Sequence, residues 1–443
     1  MGDSLFSTTE TEEEPSEDSI ASPLLAFQWV HPPEFESSTA LESGRYVIGR
    51  AHSCKLRLQS EKVSRQHAEL RVMGPHCRIV DSDSVNGTYV DGVRVRESAV
   101  RRGSVIRVGD CVGVVTAHHP GVACGLAELA PGLWGGAGLR ALLEPLRRMA
   151  GSILPVVLEG ATGTGKEVFA RAIHQLSRRS GPFIGVNCAA IPEGLAEAEL
   201  FGHARGAFTG AERARRGYLR TAHRGTLLLD EILDLPAAIQ SKLLRAIELG
   251  SVSPIGETRT YELDVRVVSA AQRPLTDAVR GGLFRPDLFA RLNGITVELP
   301  ALKERREDIP GLFRLFMQEA APEGAPRLAP GAVELLCCHP FPHNVRELQQ
   351  LARKMAALHN GAELRAAYLV RDLSKNRKLL ADEDVTSDHR LEELRALQQA
   401  LRSCDGNVSR ASALVGISRQ KAYRLFKQFD ANAVQPTGRG ASK

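Results

Sequence analysis

The chain has 443 residues, room for about three domains at roughly 150 residues each, and 43 % of its residues are hydrophobic and 25 % charged, an ordinary globular balance. Lys and Arg outnumber Asp and Glu by 57 to 52, and a net charge of +5 is too mild to imply a nucleic-acid partner by itself. With no run of about 18 apolar residues, no basic-then-apolar leader, and eight scattered cysteines that form no CxxC pair, the expectation is a cytoplasmic protein with no membrane span, secretory signal, zinc site or disulfide framework.

Residues 1–23 open the chain with an acidic tail. The first twenty carry seven acids and no base, with Ser, Thr and Pro between them, so disorder is expected there. Residues 24–117 read as all-β. Short alternating runs such as Arg45–Ile48, Lys55–Leu58, Ala68–Val72, Cys77–Val80 and Val105–Val108 are punctuated by Gly, Asp, Asn and Ser. Asp91-Gly92 between Thr88–Val90 and Val93–Val95 is a hairpin signal, and the spacing points to a sandwich or barrel. Residues 118–133 have little pattern and read as a linker.

From 134 to 302, apolar strand-like runs alternate with helical patterns, as in Val156-Val157-Leu158, the helical stretch Glu167–Arg178, and Thr226–Leu229. That alternation is α/β with a mostly parallel sheet. Residues 303–372 read as helical, 373–390 as a second linker, and 391–429 as helical again, ahead of a basic tail at 430–443. From Arg390 to Lys443 ten bases face four acids, which makes this end the candidate for nucleic-acid contact.

The chemistry is concentrated in the α/β region. After an apolar strand, Gly160-Ala161-Thr162-Gly163-Thr164-Gly165-Lys166-Glu167 has P-loop spacing. Its glycines admit phosphates to backbone N–H groups, and the next helix presents its positive end to them. Lys166 would reach the β- and γ-phosphates; Glu167 stands where Ser or Thr usually supplies a hydroxyl to Mg²⁺. The apolar run Thr226–Leu229 ends in Asp230-Glu231. Asp230 would hold Mg²⁺, and Glu231 would orient or deprotonate the attacking water, so the expected chemistry is ATP hydrolysis.

Gly206-Ala207-Phe208-Thr209-Gly210-Ala211, with the preceding Glu199–His203, resembles the surface loop of AAA+ activators of sigma-54 RNA polymerase, the bacterial enhancer-binding proteins. The P-loop with Glu167, Asn187-Cys188-Ala189-Ala190, Gln240–Arg245 and Leu299–Ile309 resemble the same family, over about residues 132–372. The resemblance implies a ring, usually of six subunits, with ATP between neighbours and the 206–211 loop touching sigma-54. It implies that Asn187 bonds Glu231 and couples the γ-phosphate to that loop, and that Arg285 and Arg291 are arginine fingers donated to the neighbouring subunit. It also implies that Arg346, in Phe341–Leu348, senses nucleotide from the helical lid. Three departures stand out: Phe341 and His343 replace the usual Trp and Gly, and Ala271-Gln272 replaces Thr-Asn at sensor I, with Gln272 keeping an amide near the nucleotide.

The two ends carry further resemblances. Gly49-Arg50, Ser64-Arg65-Gln66-His67 and Asn86-Gly87-Thr88 resemble a forkhead-associated (FHA) domain, a phosphothreonine-peptide binder. Arg50 and Arg65 would meet phosphate with charged donors and Ser64 with a hydroxyl; Asn86 would hold the peptide backbone, and His67 would buttress the loop. Leu391–Phe429 resembles a Fis-type helix-turn-helix. Its recognition helix would start at the N-cap Ser418, with Arg419, Gln420, Lys421, Tyr423, Arg424 and Lys427 facing enhancer DNA.

The expected architecture is therefore an all-β FHA sandwich, an α/β AAA+ P-loop ATPase with a helical lid, and an all-α helix-turn-helix domain. The expected function is a sigma-54-dependent regulator that uses ATP and Mg²⁺ and responds to a phosphothreonine protein, a kinase or its substrate. Two rival readings remain: an AAA+ ATPase with other clients, and an FHA scaffold with a degenerate ATPase.

Overall fold

A computed structural model describes residues 25–373 apart from 75, 360 and 362. The acidic tail, most of the second linker, the helix-turn-helix and the basic tail lie outside the described residues. By contact the chain divides into two units, Met1–Ala366 and Ala367–Lys443; the sandwich, the α/β region and the lid helices all belong to the first.

The β region is a sandwich. One sheet has the order Ser37–Leu41, Leu25–His31, Cys111–Ala117, Val105–Val108, Thr88–Val90, Val93–Val95; the other has Leu56–Arg57, Gly44–Gly49, Ala68–Met73, His76–Asp81, Glu97–Val100. The period-2 patterning sets which face is buried. Ala68, Leu70 and Val72 point inward, while Glu69 and Arg71 do not. Phe27, Ile48, Leu70, Ile79, Ile106 and Val115 meet in a single core between the sheets. Asp91 and Gly92 both have left-handed backbones, as a tight two-residue hairpin requires.

The linker expected at 118–133 holds structure. Ala127–Ala130 and Leu133–Gly135 pair antiparallel, and buried Leu129 and Leu133 join the core beneath the nearby helix Ala137–Arg148. Its three or four residues per strand are too short to register as a periodic pattern.

The α/β region has a five-stranded sheet, parallel throughout, in the order Phe183–Asn187, Thr226–Asp230, Arg266–Ala271, Val156–Glu159, Ile295–Glu298. Alternate residues of each strand feed two cores. Leu158, Leu228 and Val268 pack with Phe169 and Ile173 on one face, and Val157, Leu227, Leu229 and Val267 pack with Leu243 and Leu288 on the other. This order places the strand ending at Ala271 between the P-loop strand and the strand ending at Asp230. Gln272 thus emerges between the phosphate loop and the acids. The lid consists of helices Ile309–Ala320, Pro330–Cys338 and Asn344–Leu358, with a two-strand parallel pair, Arg327–Leu328 and Glu363–Leu364, added to the all-helical expectation.

Candidate functional site

A cleft of about 680 Å³ lies at the C-terminal ends of the parallel strands. Thr162, Gly163, Thr164, Gly165, Lys166, Glu167, Asn187, Asp230, Glu231, Gln272 and Arg346 all line it, so residues spread over some 180 positions of sequence converge on one volume. The helix Lys166–Ser177 begins directly at the loop, with Gly165 left-handed at its N-cap. Gly163 allows the lid to close on the loop: a Cβ there would stand 2.2 Å from the His343 carbonyl oxygen. Lys166 is buried, and its Nζ donates to the carbonyls of Gly160 at 2.7 Å and Ala161 at 3.3 Å. Burial pulls its pKa down, against the pull of Glu231 and Asp230.

The acids are set by backbone geometry. Asp230 ends its strand half-buried, and Glu231 follows in a left-handed conformation, its N–H donating to Asp230 Oδ1 at 3.1 Å. Glu231 is held at φ 53°, a left-handed backbone uncommon outside glycine, and lines the cleft beside Asp230. Burial, then the charge of Glu231, push the Asp230 carboxyl up.

Gln272 departs from the family pattern but reaches Glu231. Its Nε2 donates to Glu231 Oε1 at 2.6 Å. Asn187, expected to bond Glu231, instead accepts from the Ala190 N–H at 3.3 Å and caps the short turn Cys188–Ala190. The longer amide of Gln272 thus makes the contact expected of Asn187.

The lid stretch shows why His343 is tolerated. Its φ is −97°, an ordinary value, whereas Phe341 and Asn344 are the left-handed residues of this turn. Buried Phe341 packs edge-on against His339 at 4.6 Å, keeping the aromatic anchor. Two lid residues lie in the stretches Leu299–Ile309 and Phe341–Leu348 but had no role from the sequence. Asn344 accepts from Leu302 N–H at 2.7 Å and donates to the Thr162 carbonyl at 2.9 Å. Arg305 donates to the Thr164 carbonyl at 3.0 Å from a buried position. Both bind the phosphate loop from the lid, and no periodicity or motif glycine marks them. Trp134, in the overlooked hairpin, lines the same cleft with Leu139, Leu312 and Phe316.

Arg285 and Arg291 lie at the start and end of the helix Pro286–Leu292, exposed and outside the cleft; Arg285 pairs with Asp287 at 2.6 Å. The 206–211 loop is a surface turn closed by Gly206 N–H to Ala211 O at 2.8 Å, with Gly206 and Gly210 left-handed. Phe208 is exposed at its tip and leans on His203, ring centres 4.9 Å apart; Ala207 is half-buried, Thr209 exposed and Ala211 buried.

A second cleft, of about 690 Å³, opens on the sandwich and gathers Arg50, Ser64, Arg65 and Asn86. Its loops are stitched together from below. Buried His67 accepts the Ser64 N–H at its Nδ1, 3.1 Å away, and its Nε2 lies 3.2 Å from the Gly87 carbonyl. Val85 N–H donates to Ser64 Oγ, and Asn86 Nδ2 donates to the Lys62 carbonyl at 2.7 Å. Arg50 and Arg65 are exposed on the rim. His67 therefore bonds the loop from beneath, the buttressing place expected of it, and burial lowers its pKa against the Gly87 carbonyl and the charge of Asp81. The DNA-contact candidates Ser418 to Lys427 lie outside the described residues.

Four family models match in chain order: an FHA domain over residues 46–109, a sigma-54 interaction domain over 136–298, an AAA+ ATPase lid domain over 303–385, and a bacterial regulatory protein of the Fis family over 390–424. The transcriptional regulatory protein GlrR of Escherichia coli K12 is 41 % identical over 297 residues, 66 % of each chain. The probable regulatory protein HrpR of a Pseudomonas syringae pathogenicity locus is 51 % identical over 202 residues, 45 % of this chain and 64 % of that one. The match thus spans just under two thirds of these relatives' length. A crystal structure of NtrX from Brucella abortus with ADP, 31 % identical, aligns over 66 % of this chain and 68 % of that one with a TM-score of 0.49. Among the described residues, no helix is long and apolar enough to cross a membrane.

Proposed function

The chain belongs to the sigma-54-dependent transcriptional activators, and on that premise we propose that it hydrolyses ATP to remodel the closed complex of sigma-54 RNA polymerase, gated by a phosphothreonine signal. The observation that carries this reading is the single cleft that unites the P-loop, Lys166, both acids, Gln272 and Arg346, on a domain whose 206–211 loop stands exposed.

This reading gives each residue its work. The backbone N–H groups of 161–166 face the β-phosphate, and Lys166 exchanges its carbonyl partners for phosphate oxygens. Glu231 orients the attacking water and accepts its proton, while Gln272 holds the carboxylate in aim. Arg346 reaches in from the lid. Arg285 and Arg291, outside their own cleft, serve the neighbouring subunit of a ring, so turnover requires assembly. Asp230, half-buried and with its carboxyl pushed up by burial and then by the charge of Glu231, is the hard oxygen donor that would hold Mg²⁺; the ion would neutralise charge on the phosphates.

The sandwich cleft binds a phosphothreonine protein through Arg50, Ser64 and Arg65, with Asn86 on the peptide backbone. Ser418, Arg419, Gln420, Lys421, Tyr423, Arg424 and Lys427 contact enhancer DNA. Hydrolysis moves the loop carrying Phe208 and Thr209 against sigma-54.

ATP turnover by the purified chain tests the enzyme. Glu231→Gln is expected to keep nucleotide binding and lower kcat by about 10²-fold or more. Turnover unchanged in that variant would refute the site. The reading as a scaffold with a degenerate ATPase predicts no turnover at all; the Gln272–Glu231 hydrogen bond argues against it.

A further inference from the structure

The sandwich does not hang free of the lid. Helix Pro330–Cys338 packs on strands Val105–Val108 and Cys111–Ala117, and helix Ile309–Ala320 packs on Leu25–His31. At the centre of this contact Arg107 Nε donates to Glu334 Oε2 at 2.6 Å, with side chains only 18 % and 9 % exposed. The Arg107 guanidinium also lies 3.7 Å over the Tyr89 ring, which fixes its direction. Beside it Arg306 Nη1 donates to the Gly103 carbonyl at 3.0 Å and sits 3.6 Å from Asp91.

Each end of this contact continues into a binding cleft. On the lid side, Arg306 is the immediate neighbour of Arg305, which grips the Thr164 carbonyl of the P-loop and lies 3.7 Å from Asp308. Asp308 in turn crowds the backbone of Gly136, where a Cβ would stand 2.3 Å from its Oδ1, one residue beyond the hairpin that lines the nucleotide cleft. The four residues 305–308 therefore hold the sandwich with one arginine and the phosphate loop with the next. On the sandwich side, Arg107 Nη1 donates to the Gly109 carbonyl at 3.3 Å. Gly109 lies so close to Lys62 that a Cβ would meet its carbonyl oxygen at 2.5 Å, and Ser60 donates to Asp110. Lys62, whose carbonyl also receives Asn86, belongs to the loop that lines the phosphate cleft.

We propose that the FHA domain is docked on the lid as a coupling element: the Arg107–Glu334 pair and the Arg305–Arg306 turn link occupancy of the sandwich cleft to occupancy of the nucleotide cleft. The part of this that concerns a ligand rests on the phosphothreonine reading; the docking contact does not. A close-packed interface has discrete arrangements rather than continuous ones, so ordering the 60–65 loop around a phosphate shifts the seat of Arg107, and a shifted lid changes Arg305 at the P-loop. Contiguity alone is no measure of coupling, and linkage requires that the effect be reciprocal.

The test measures ADP affinity by calorimetry on the full chain. Arg107→Glu and Glu334→Arg each break the pair, and the double swap restores it with reversed polarity. The expected result is a change in ADP Kd of about fivefold or more in each single variant, with return to within about twofold in the double. Arg306→Ala, a milder change at the rim of the contact, is expected to shift ADP Kd in the same direction. Unchanged ADP affinity in Arg306→Ala and in the soluble single variants overturns the proposal, and so does a double variant no closer to wild type than the singles. A second arm titrates a degenerate phosphothreonine peptide pool with and without saturating ADP. Equal and reciprocal factors on the two affinities support the coupling, and affinities that ignore one another overturn it. A wild-type chain that binds no peptide from the pool removes the phosphothreonine reading, while the ADP arm still decides the docking contact.

Discussion

Gln272→Ala is the most informative single change in the nucleotide cleft. It removes a hydrogen bond of 2.6 Å to the Glu231 carboxylate without touching the P-loop, Asp230 or the core. A hydrogen bond to a charged group is worth roughly 1.5–3 kcal/mol, and the exposure of Gln272 places this one at the lower end. About 1.5 kcal/mol is about tenfold in rate if the bond is fully used when Glu231 aligns the water. The expected outcome in a steady-state ATPase assay is a kcat about tenfold lower with KM changed by less than about twofold, because the bond aims a base and does not hold nucleotide. Gln272→Asn is expected to fall nearly as far, since the shorter amide stops short of Glu231. In a Glu231→Gln background the same substitution is expected to add nothing. A kcat within twofold of wild type in Gln272→Ala would refute the reasoning.

The remaining expectations span both clefts and the core. Arg50→Ala removes a charged donor from the rim of the sandwich cleft, so phosphothreonine-peptide affinity measured by fluorescence anisotropy is expected to fall by about 10- to 100-fold with an unchanged melting temperature; unchanged affinity would refute the assignment. The chain has two tryptophans, Trp29 in the sandwich core and Trp134 in the nucleotide cleft, so ADP titration is expected to change indole emission, and Trp134→Phe to abolish the change. His31 is held neutral by burial, with Arg314 adding to the effect and Asp110 and Glu34 opposing it, and its pKa falls to about 4. A lowered pKa means that stability present above the unfolded value, near 6.5, is lost as pH falls toward 4. The difference in melting temperature between wild type and His31→Gln is therefore expected to change across that window, and a flat difference would contradict a neutral buried imidazole.

What was legible in the sequence was what local rules dictate. Asp91-Gly92 needs left-handed backbone at both positions and has it, and Gly160–Lys166 lies between a strand and a helix as phosphate binding requires. The sandwich cleft residues were named through the resemblance of Gly49-Arg50, Ser64–His67 and Asn86–Thr88 to an FHA domain, and alternation alone would have left them as loop residues. The rest depended on distances across the fold. Gln272 was legible as an amide near the nucleotide, but its bond to Glu231 was not, because that contact depends on the strand order that places the two side by side. Asn187 read as a partner of Glu231 but found a nearer donor in Ala190, since a short amide at a strand end is captured by its own turn. Arg305 and Asn344 act through backbone carbonyls, which no residue pattern records. Nothing in the sequence singles out Glu334, because only the packed sandwich supplies the arginine that explains its burial.

The central claim is that hydrolysis is coupled to sigma-54 through the 206–211 loop. Its most direct test is binding of purified sigma-54 in the presence of ADP and aluminium fluoride, a mimic of the hydrolysis transition state, comparing wild type with Thr209→Ala. The account predicts a complex that forms with wild type and is lost in the variant while ATP turnover persists. A wild-type chain that hydrolyses ATP and forms no such complex, with or without a bound phosphothreonine peptide, would contradict it.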